Sequence, residues 1–273
     1  KDVPMNQPLD RLFSLWRWIL PLGWCGALAA CDRPPAPTSA PATGQPASRP
    51  ATTQPAGADL LKQWMDAPQK TLALRKDDAR RNNPKAFHVV VVFSDFASPE
   101  CREFARYWDR EVEPFIYDKV NYVFRSYPMN ASCNPLLQQS QHDQSCLLAS
   151  MAEAARIQGG NDAFWRIHDE LFNNQARPEN ERIGPEELAR RCKLDPQRFL
   201  QDIHRPGVRD RIIQDISLAQ QVDVQRVPTV YLDGREVTPW NNRLLWQTYF
   251  KFDVGTIPVP LQSGGGEKEN VKK

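Results

Sequence analysis

Net charge is what this chain most plainly lacks. Its 35 basic side chains stand against 33 acidic ones, a formal balance of +2. No strong field is therefore available to recruit nucleic acid or acidic lipid. Cysteine is sparse as well: Cys25, Cys31, Cys101, Cys133, Cys146 and Cys192 are all there are in 273 residues. That excludes a disulfide-stapled mini-domain and leaves enough sulfur for one bridge, a redox site and an anchor. An apolar run at residues 18–30 is broken by Pro21 and two glycines. It spans about a dozen residues, against the ~20 that a stable membrane-crossing helix needs. What is present is ordinary for a globular chain: 41% hydrophobic and 25% charged residues, enough to bury a core. Proline is abundant at 24 residues, but much of it is concentrated in one stretch.

The first thirty residues read as an address. Arg11 and Arg17 precede the short apolar run, and small residues close it, the pattern of a signal peptide over residues 1–30. Residues 1–4 precede Met5, a candidate start. Leu28-Ala29-Ala30-Cys31 resembles the bacterial lipobox, which implies cleavage before Cys31 and lipid on its sulfur. Each buried methylene would contribute ~0.8 kcal/mol, and more than one acyl chain makes anchoring durable. An ordinary signal peptide or an uncleaved anchor is the alternative. Residues 31–58 are expected to be the lipidated cysteine and a tether rich in Pro, Ala and Thr, with no apolar periodicity to build a core. As polyproline II, at ~3.1 Å per residue, the tether would reach roughly 80 Å. Residues 261–273 are expected to form a frayed tail.

The folded part is expected over residues 59–260. Leu60, Leu61, Trp64 and Met65 sit at helical spacing. Residues 71–74 suggest an edge strand. Residues 88–93, with four valines in a row, predict a buried central strand covered on both faces. Phe104, Ala105, Trp108, Val112, Phe115 and Ile116 then share a helical face, with a kink at Pro114. Residues 121–125 predict a second strand, so the order implies a parallel crossover. A helical stretch fills residues 146–222, including a start at Gly184-Pro185 and an amphipathic helix at 209–222. Residues 229–232, a turn at Asp233-Gly234 and residues 236–237 predict a hairpin. A last helix is expected at 242–252.

Three segments carry a family resemblance jointly. Phe93-Ser94-Asp95-Phe96-Ala97-Ser98-Pro99-Glu100-Cys101 is similar to the active-site strand and turn of DsbA-like thiol–disulfide oxidoreductases. Arg226-Val227-Pro228-Thr229-Val230-Tyr231-Leu232-Asp233-Gly234 resembles their cis-proline loop and hairpin. Asp162-Ala163-Phe164-Trp165, continuing through His168 to Phe172, resembles a helix of their inserted domain. The resemblance covers roughly 190 residues and implies an α/β thioredoxin-like fold with a helical insert at about 133–205. It also implies a cis bond at Val227–Pro228 and a loop there that pairs with extended peptide.

The chain departs from the family where a Cys-Pro-x-Cys belongs: Ser98 stands in the first cysteine's place, and Cys101 alone remains. Disulfide exchange needs a thiolate to attack sulfur, and in such motifs the first cysteine's thiolate is stabilised at a helix start. A hydroxyl cannot form a disulfide, and no base for it is expected within the motif. Ser98-Pro99-Glu100 makes a favourable helix cap instead, contributing about 1 kcal/mol; a nucleophilic Ser98 is the alternative. Cys101 either retains redox work or packs as a small hydrophobe. The expected reading is a member of the family without ordinary dithiol activity.

Cys133 and Cys146 flank the polar stretch 134–145. In an oxidising compartment they are expected to form a disulfide that contributes roughly 3 kcal/mol by loop closure. The alternatives are a redox pair, or a metal site with His142 that lacks an evident fourth ligand. No cofactor and no metal are expected. Cys192 lies in a helical pattern and reads as a buried thiol. Pro228 either only shapes its loop or, with Val227, keeps a groove for extended chain, since strand-like pairing needs no cysteine. Three readings follow: residual exchange through Cys101 with a thiol partner, a module that binds extended or unfolded polypeptide, or a structural envelope lipoprotein. All place the chain outside the cytoplasm, lipid-anchored to a bacterial membrane on its periplasmic side, with no nucleic-acid partner.

Overall fold

The valines from Val89 to Val92 lie in the middle of a five-stranded sheet. The computed structural model describes residues 57–251. In it, β1 (Ala79–Asn82) is an edge, followed in space by β3 (Val120–Ser126), β2 (His88–Ser94), β4 (Thr229–Leu232) and β5 (Arg235–Glu236). β2 runs parallel to β3 and antiparallel to β4, so the expected crossover is present. The apolar run is continuous because both faces of β2 are covered. Val90 and Val92 join a core with Phe104, Trp108, Phe164 and Trp246. Val91 and Phe93 face the other way, onto Ile212, Ile216 and Ala219. Each such side chain contributes roughly 1.5–3 kcal/mol on burial.

Helix α1 (Gly57–Asp66) buries Trp64, while Met65, expected beside it on the apolar face, is 55% exposed. Between β2 and β3 come α2 (Pro99–Tyr107), a π-helical turn (Trp108–Val112) and α3 (Glu113–Ile116). The bend expected at Pro114 is there: Val112 leaves helical geometry at φ −122°, and Pro114 occupies the first turn of α3, where its missing N–H costs nothing. Between β3 and β4 the regular elements are all helical: α4 (Ser145–Gln175), a 3-10 turn (Glu179–Glu181), α5 (Pro185–Arg191), α6 (Pro196–Asp202) and α7 (Pro206–Gln221). α4 breaks at Gly159 and Gly160, and Gly160 adopts φ +70°, which strains any residue with a Cβ. Asp233 and Gly234 both have positive φ, as a type I′ hairpin turn requires. Asn242 caps α8 (Arg243–Phe250), its side chain accepting from the Leu245 N–H.

Residues 71–74 are not a strand, and β1 forms the edge in their place. The earlier segment is diverted by other partners. The Lys70 N–H donates to the Gly234 carbonyl at 2.7 Å, and Gln69 donates to the Asp233 carbonyl at 2.8 Å. The Ala73 carbonyl accepts from Arg125 at 2.7 Å. β1 tolerates its arginines because it is an edge, where charges are common. Arg81 reaches Glu113 at 2.9 Å and Asp109 at 3.1 Å.

Near the end of β3, the Arg125 guanidinium is fully buried. Asp78 meets it at 2.5 and 2.8 Å and Asp215 at 3.2 Å, and Arg211 adds a 3.0 Å bond to Asp78. This network ties the segment before β1 to β3 and α7. Among the described residues no helix is long and apolar enough to cross a membrane. The expected signal peptide, Cys31 and the expected tail at 261–273 lie outside the described residues, as does the expected tether except for its last two positions, which begin α1 rather than continue a tether.

Candidate functional site

The site grows from the C-terminal end of β2, where the chain leaves the sheet at Ser94 and enters α2. Ser98 is the N-cap, with extended backbone (φ −78°, ψ 125°), and its Oγ accepts from the Cys101 N–H at 3.4 Å. Pro99 follows at the first helical position, where it has no N–H to waste. Ser98 is fully buried. Glu100 brings a carboxylate oxygen to 3.4 Å from the Ser98 Oγ, a contact the sequence reading did not anticipate.

Cys101 sits one turn into α2 and is 0% exposed. Its Sγ accepts from the Asp95 N–H at 3.3 Å. Burial pushes the thiol up to about 12; the Asp95 N–H and the Ser94 and Ser98 hydroxyls pull the other way without offsetting it. The sulfur therefore stays protonated at neutral pH and faces no solvent. Cys192 is likewise buried, at the end of α5, and burial pushes its thiol up to about 11.

Asp95 was not singled out by the sequence, yet it organises the turn. One carboxylate oxygen accepts from the Ala97 N–H at 2.9 Å. The other accepts from the Met129 N–H at 3.0 Å and the Ser145 hydroxyl at 2.7 Å. Burial raises its pKa, and these hydrogen bonds pull against that rise. Gln175, the last residue of α4, donates to the Phe96 carbonyl at 2.8 Å and the Ser98 carbonyl at 3.0 Å. Both ends of α4 thus grip the same turn. An acid two residues past a strand run is a faint signal for Asp95; Gln175, some eighty positions away, offers none.

The Val227–Pro228 bond is cis, as the resemblance implied. Phe93 pairs with Thr229 across β2 and β4, so the register carries Pro228 to the end of β2, where α2 begins. Thr229 donates its hydroxyl to the Arg226 carbonyl at 2.6 Å and fixes the loop. Val227 is half-buried and touches both cores. The register thus puts the Val227–Pro228 bond at the same end of β2 as the turn that carries Ser98 and Cys101, and Val227 packs on the core that includes Cys101. An open cavity of about 390 Å³ borders the Ser98 turn, lined in part by Ala97, Pro99, Arg102, Gln144 and Gln175; Val227 and Pro228 do not line it.

Cys133 and Cys146 form a disulfide, with Cα atoms 5.9 Å apart. No cluster of His, Cys, Asp and Glu suited to a metal occurs among the described residues. Cys101, a free thiol, and the Cys133–Cys146 disulfide are separate features of the chain.

Comparison with known proteins agrees with this geometry. A family model described as Thioredoxin matches residues 76–247. A probable disulfide bond formation protein D of Bacillus cereus is 29% identical over 178 residues, covering 61% of this chain and 72% of that protein. A Na(+)/H(+) antiporter of Mycolicibacterium gilvum is 28% identical over 190 residues, 66% of this chain and 28% of the antiporter. Among solved structures, oxidised BdbD from Bacillus subtilis superposes with a TM-score of 0.53 at 18% identity, covering 68% of this chain and 97% of that one. At that identity the superposition speaks to fold.

Proposed function

Because the chain belongs to the thioredoxin family, on its DsbA-like side, we propose that it is an envelope module that binds extended or unfolded polypeptide and has set aside dithiol exchange at its Ser98/Cys101 site. The observation that carries this reading is the pairing of two facts. The attacking sulfur is replaced by the cap Ser98, and the remaining sulfur, Cys101, is sealed in the core with its thiol pushed up to about 12. Disulfide exchange requires a thiolate that can reach its target, and neither condition is met there. The cis Val227–Pro228 loop beside that turn needs no thiol to hold an extended chain, because strand-like pairing runs through backbone groups.

The same reading puts the protein outside the cytoplasm on a bacterial membrane, held by lipid on Cys31 and spaced by residues 31–58, with the domain at 59–260 acting at the tether's end. Residual exchange through Cys101 is the competing idea, and the burial of that sulfur weighs against it.

The test uses the full-length chain beside a Ser98→Cys variant, in insulin reduction and in titration with an unfolded, cysteine-free peptide followed by chemical shifts. The reading expects no insulin reduction through Cys101 in the parent, a gain in the variant, and shifts at residues 227–230 in both. Insulin reduction that disappears on Cys101→Ala would restore the enzyme reading. Unmoved shifts at 227–230 would remove the groove.

A further inference from the structure

The sulfur chemistry left in this chain lies elsewhere. Cys101 and Cys192 are fully buried. Cys133 and Cys146 are half-buried and form part of the wall of an open cavity of about 460 Å³, together with His204, Arg205 and Arg209. The two halves of the bond are not equivalent. Cys146 is the second residue of α4, where unpaired backbone N–H groups and the helix dipole favour a thiolate. The Ser132 hydroxyl lies 3.2 Å from its Sγ; it donates its proton to the Asn130 Oδ1 at 2.6 Å, and rotation about its C–O bond would turn that proton to the thiolate once formed. Cys133, on the loop before α4, has no helix start behind it. The thiol of lower pKa leaves faster, so attack belongs at Cys133 and departure at Cys146. The cavity's charge is cationic: Arg205 is paired with Asp202 at 2.7 Å, while Arg209 makes no ion pair among the described residues.

We propose that the Cys133–Cys146 disulfide is a second, solvent-reachable redox centre that exchanges with small thiols carrying carboxylates. In the first step the incoming thiolate donates its electron pair to the Cys133 Sγ and forms a mixed disulfide. The Cys133–Cys146 bond breaks, and its pair leaves on Cys146, which takes a proton from water or keeps the Ser132 hydrogen bond. A second thiolate of the same kind then attacks the small-molecule sulfur of the mixed disulfide and releases Cys133 as thiolate. Two small thiols become one small disulfide, and the protein gains two electrons as a dithiol. Excess of the small disulfide drives the same steps backwards and restores the bridge. This inference stands apart from the groove reading, since it uses neither Ser98 nor the Pro228 loop.

The probe is glutathione, whose carboxylates supply the negative charge, with 2-mercaptoethanol as the uncharged comparison. The folded full-length chain is incubated in glutathione buffers, trapped with an alkylating agent, and mapped by peptide mass spectrometry. The expected result is reversible reduction while the fold persists by circular dichroism, with the glutathione adduct on Cys133 rather than Cys146. Arg209→Glu should slow reduction by glutathione about tenfold, the low end of electrostatic steering, and leave reduction by 2-mercaptoethanol nearly unchanged. The wild-type adduct map needs no variant to fold. A bridge that stays oxidised in excess glutathione overturns the proposal and leaves a purely structural staple. An adduct on Cys146, or an Arg209→Glu variant that slows both thiols equally, overturns the assigned direction and the charge selectivity.

Discussion

Alkylation of Cys101 should be slow enough in the folded chain to report its unfolding. Burial moves this thiol from its ordinary 9.0 to about 12. That difference, 12 − 9.0 = 3, lowers the thiolate fraction at neutral pH about a thousandfold, and only the thiolate reacts. The 0% exposure of the residue adds a steric barrier. Iodoacetamide labelling of the full-length chain at pH 7.5, read on the peptide that contains Cys101, should therefore run at least a thousandfold (order of magnitude) below the rate in guanidinium. The sign of the pH effect follows from the same values. Above pH 9 the unfolded chain ionises this thiol while the folded chain does not. The folded value is the raised one, so its contribution to stability is complete below pH 9 and is lost as pH climbs from 9 towards 12, at about 1.4 kcal/mol per pH unit. Cys101→Ala should remove about one proton's worth of that slope. Native-state labelling within tenfold of the unfolded rate would refute the reasoning, because it would mean the sulfur is both reachable and ionised.

Asp78→Asn should cost about 3 kcal/mol in denaturant unfolding, since it leaves the buried Arg125 guanidinium with Asp215 as its remaining carboxylate; a loss below ~1 kcal/mol would mean that Asp215 suffices. Ser98→Ala should cost about 1 kcal/mol through loss of the α2 cap, with the fold unchanged by circular dichroism; no loss would show that the 3.4 Å cap bond contributes nothing. Gln175→Ala frees the carbonyls of Phe96 and Ser98 and should cost roughly 1–3 kcal/mol. Amide exchange across residues 95–101 should quicken in that variant, and unchanged protection would show that the turn holds itself.

Much of the architecture was legible because particular residues speak through short-range rules. Four valines in a row, with Phe93 after them, read as a strand covered on both faces, and Val90 and Val91 do face different cores. Asp233-Gly234 announced its turn by backbone freedom, and Ser98-Pro99-Glu100 announced its helix start by capping chemistry. What stayed hidden depended on distant partners. The edge strand Ala79–Asn82, with two arginines and an asparagine in four residues, carries no strand pattern of its own, and its Arg81 is held by Glu113 and Asp109 from distant parts of the chain. Residues 71–74 read as strand until the Gly234 and Asp233 carbonyls are seen to draw the segment just before them. At the site, the sequence supplied Ser98, Cys101 and the Val227–Pro228 bond. It could not supply Asp95 and Gln175 as partners of one turn, since their contacts span 50 and 79 positions.

The break at Gly159 and Gly160 acquires a meaning from those contacts. A straight helix of 31 residues would hold its ends ~46 Å apart. Here its first residue, Ser145, and its last, Gln175, both bond to a turn only four residues long, from Asp95 to Ser98. The two arms must therefore fold back on each other like the legs of a pair of callipers, with Gly160 as the pivot and the Asp95–Ser98 turn held between the points. The width of that grip is set by two residues with no side chain, Gly159 and Gly160, far along the chain from the turn itself. A Cβ at Gly160 would meet open space but would be strained at φ +70°, and the backbone shift that relieved it would change the angle between the two arms.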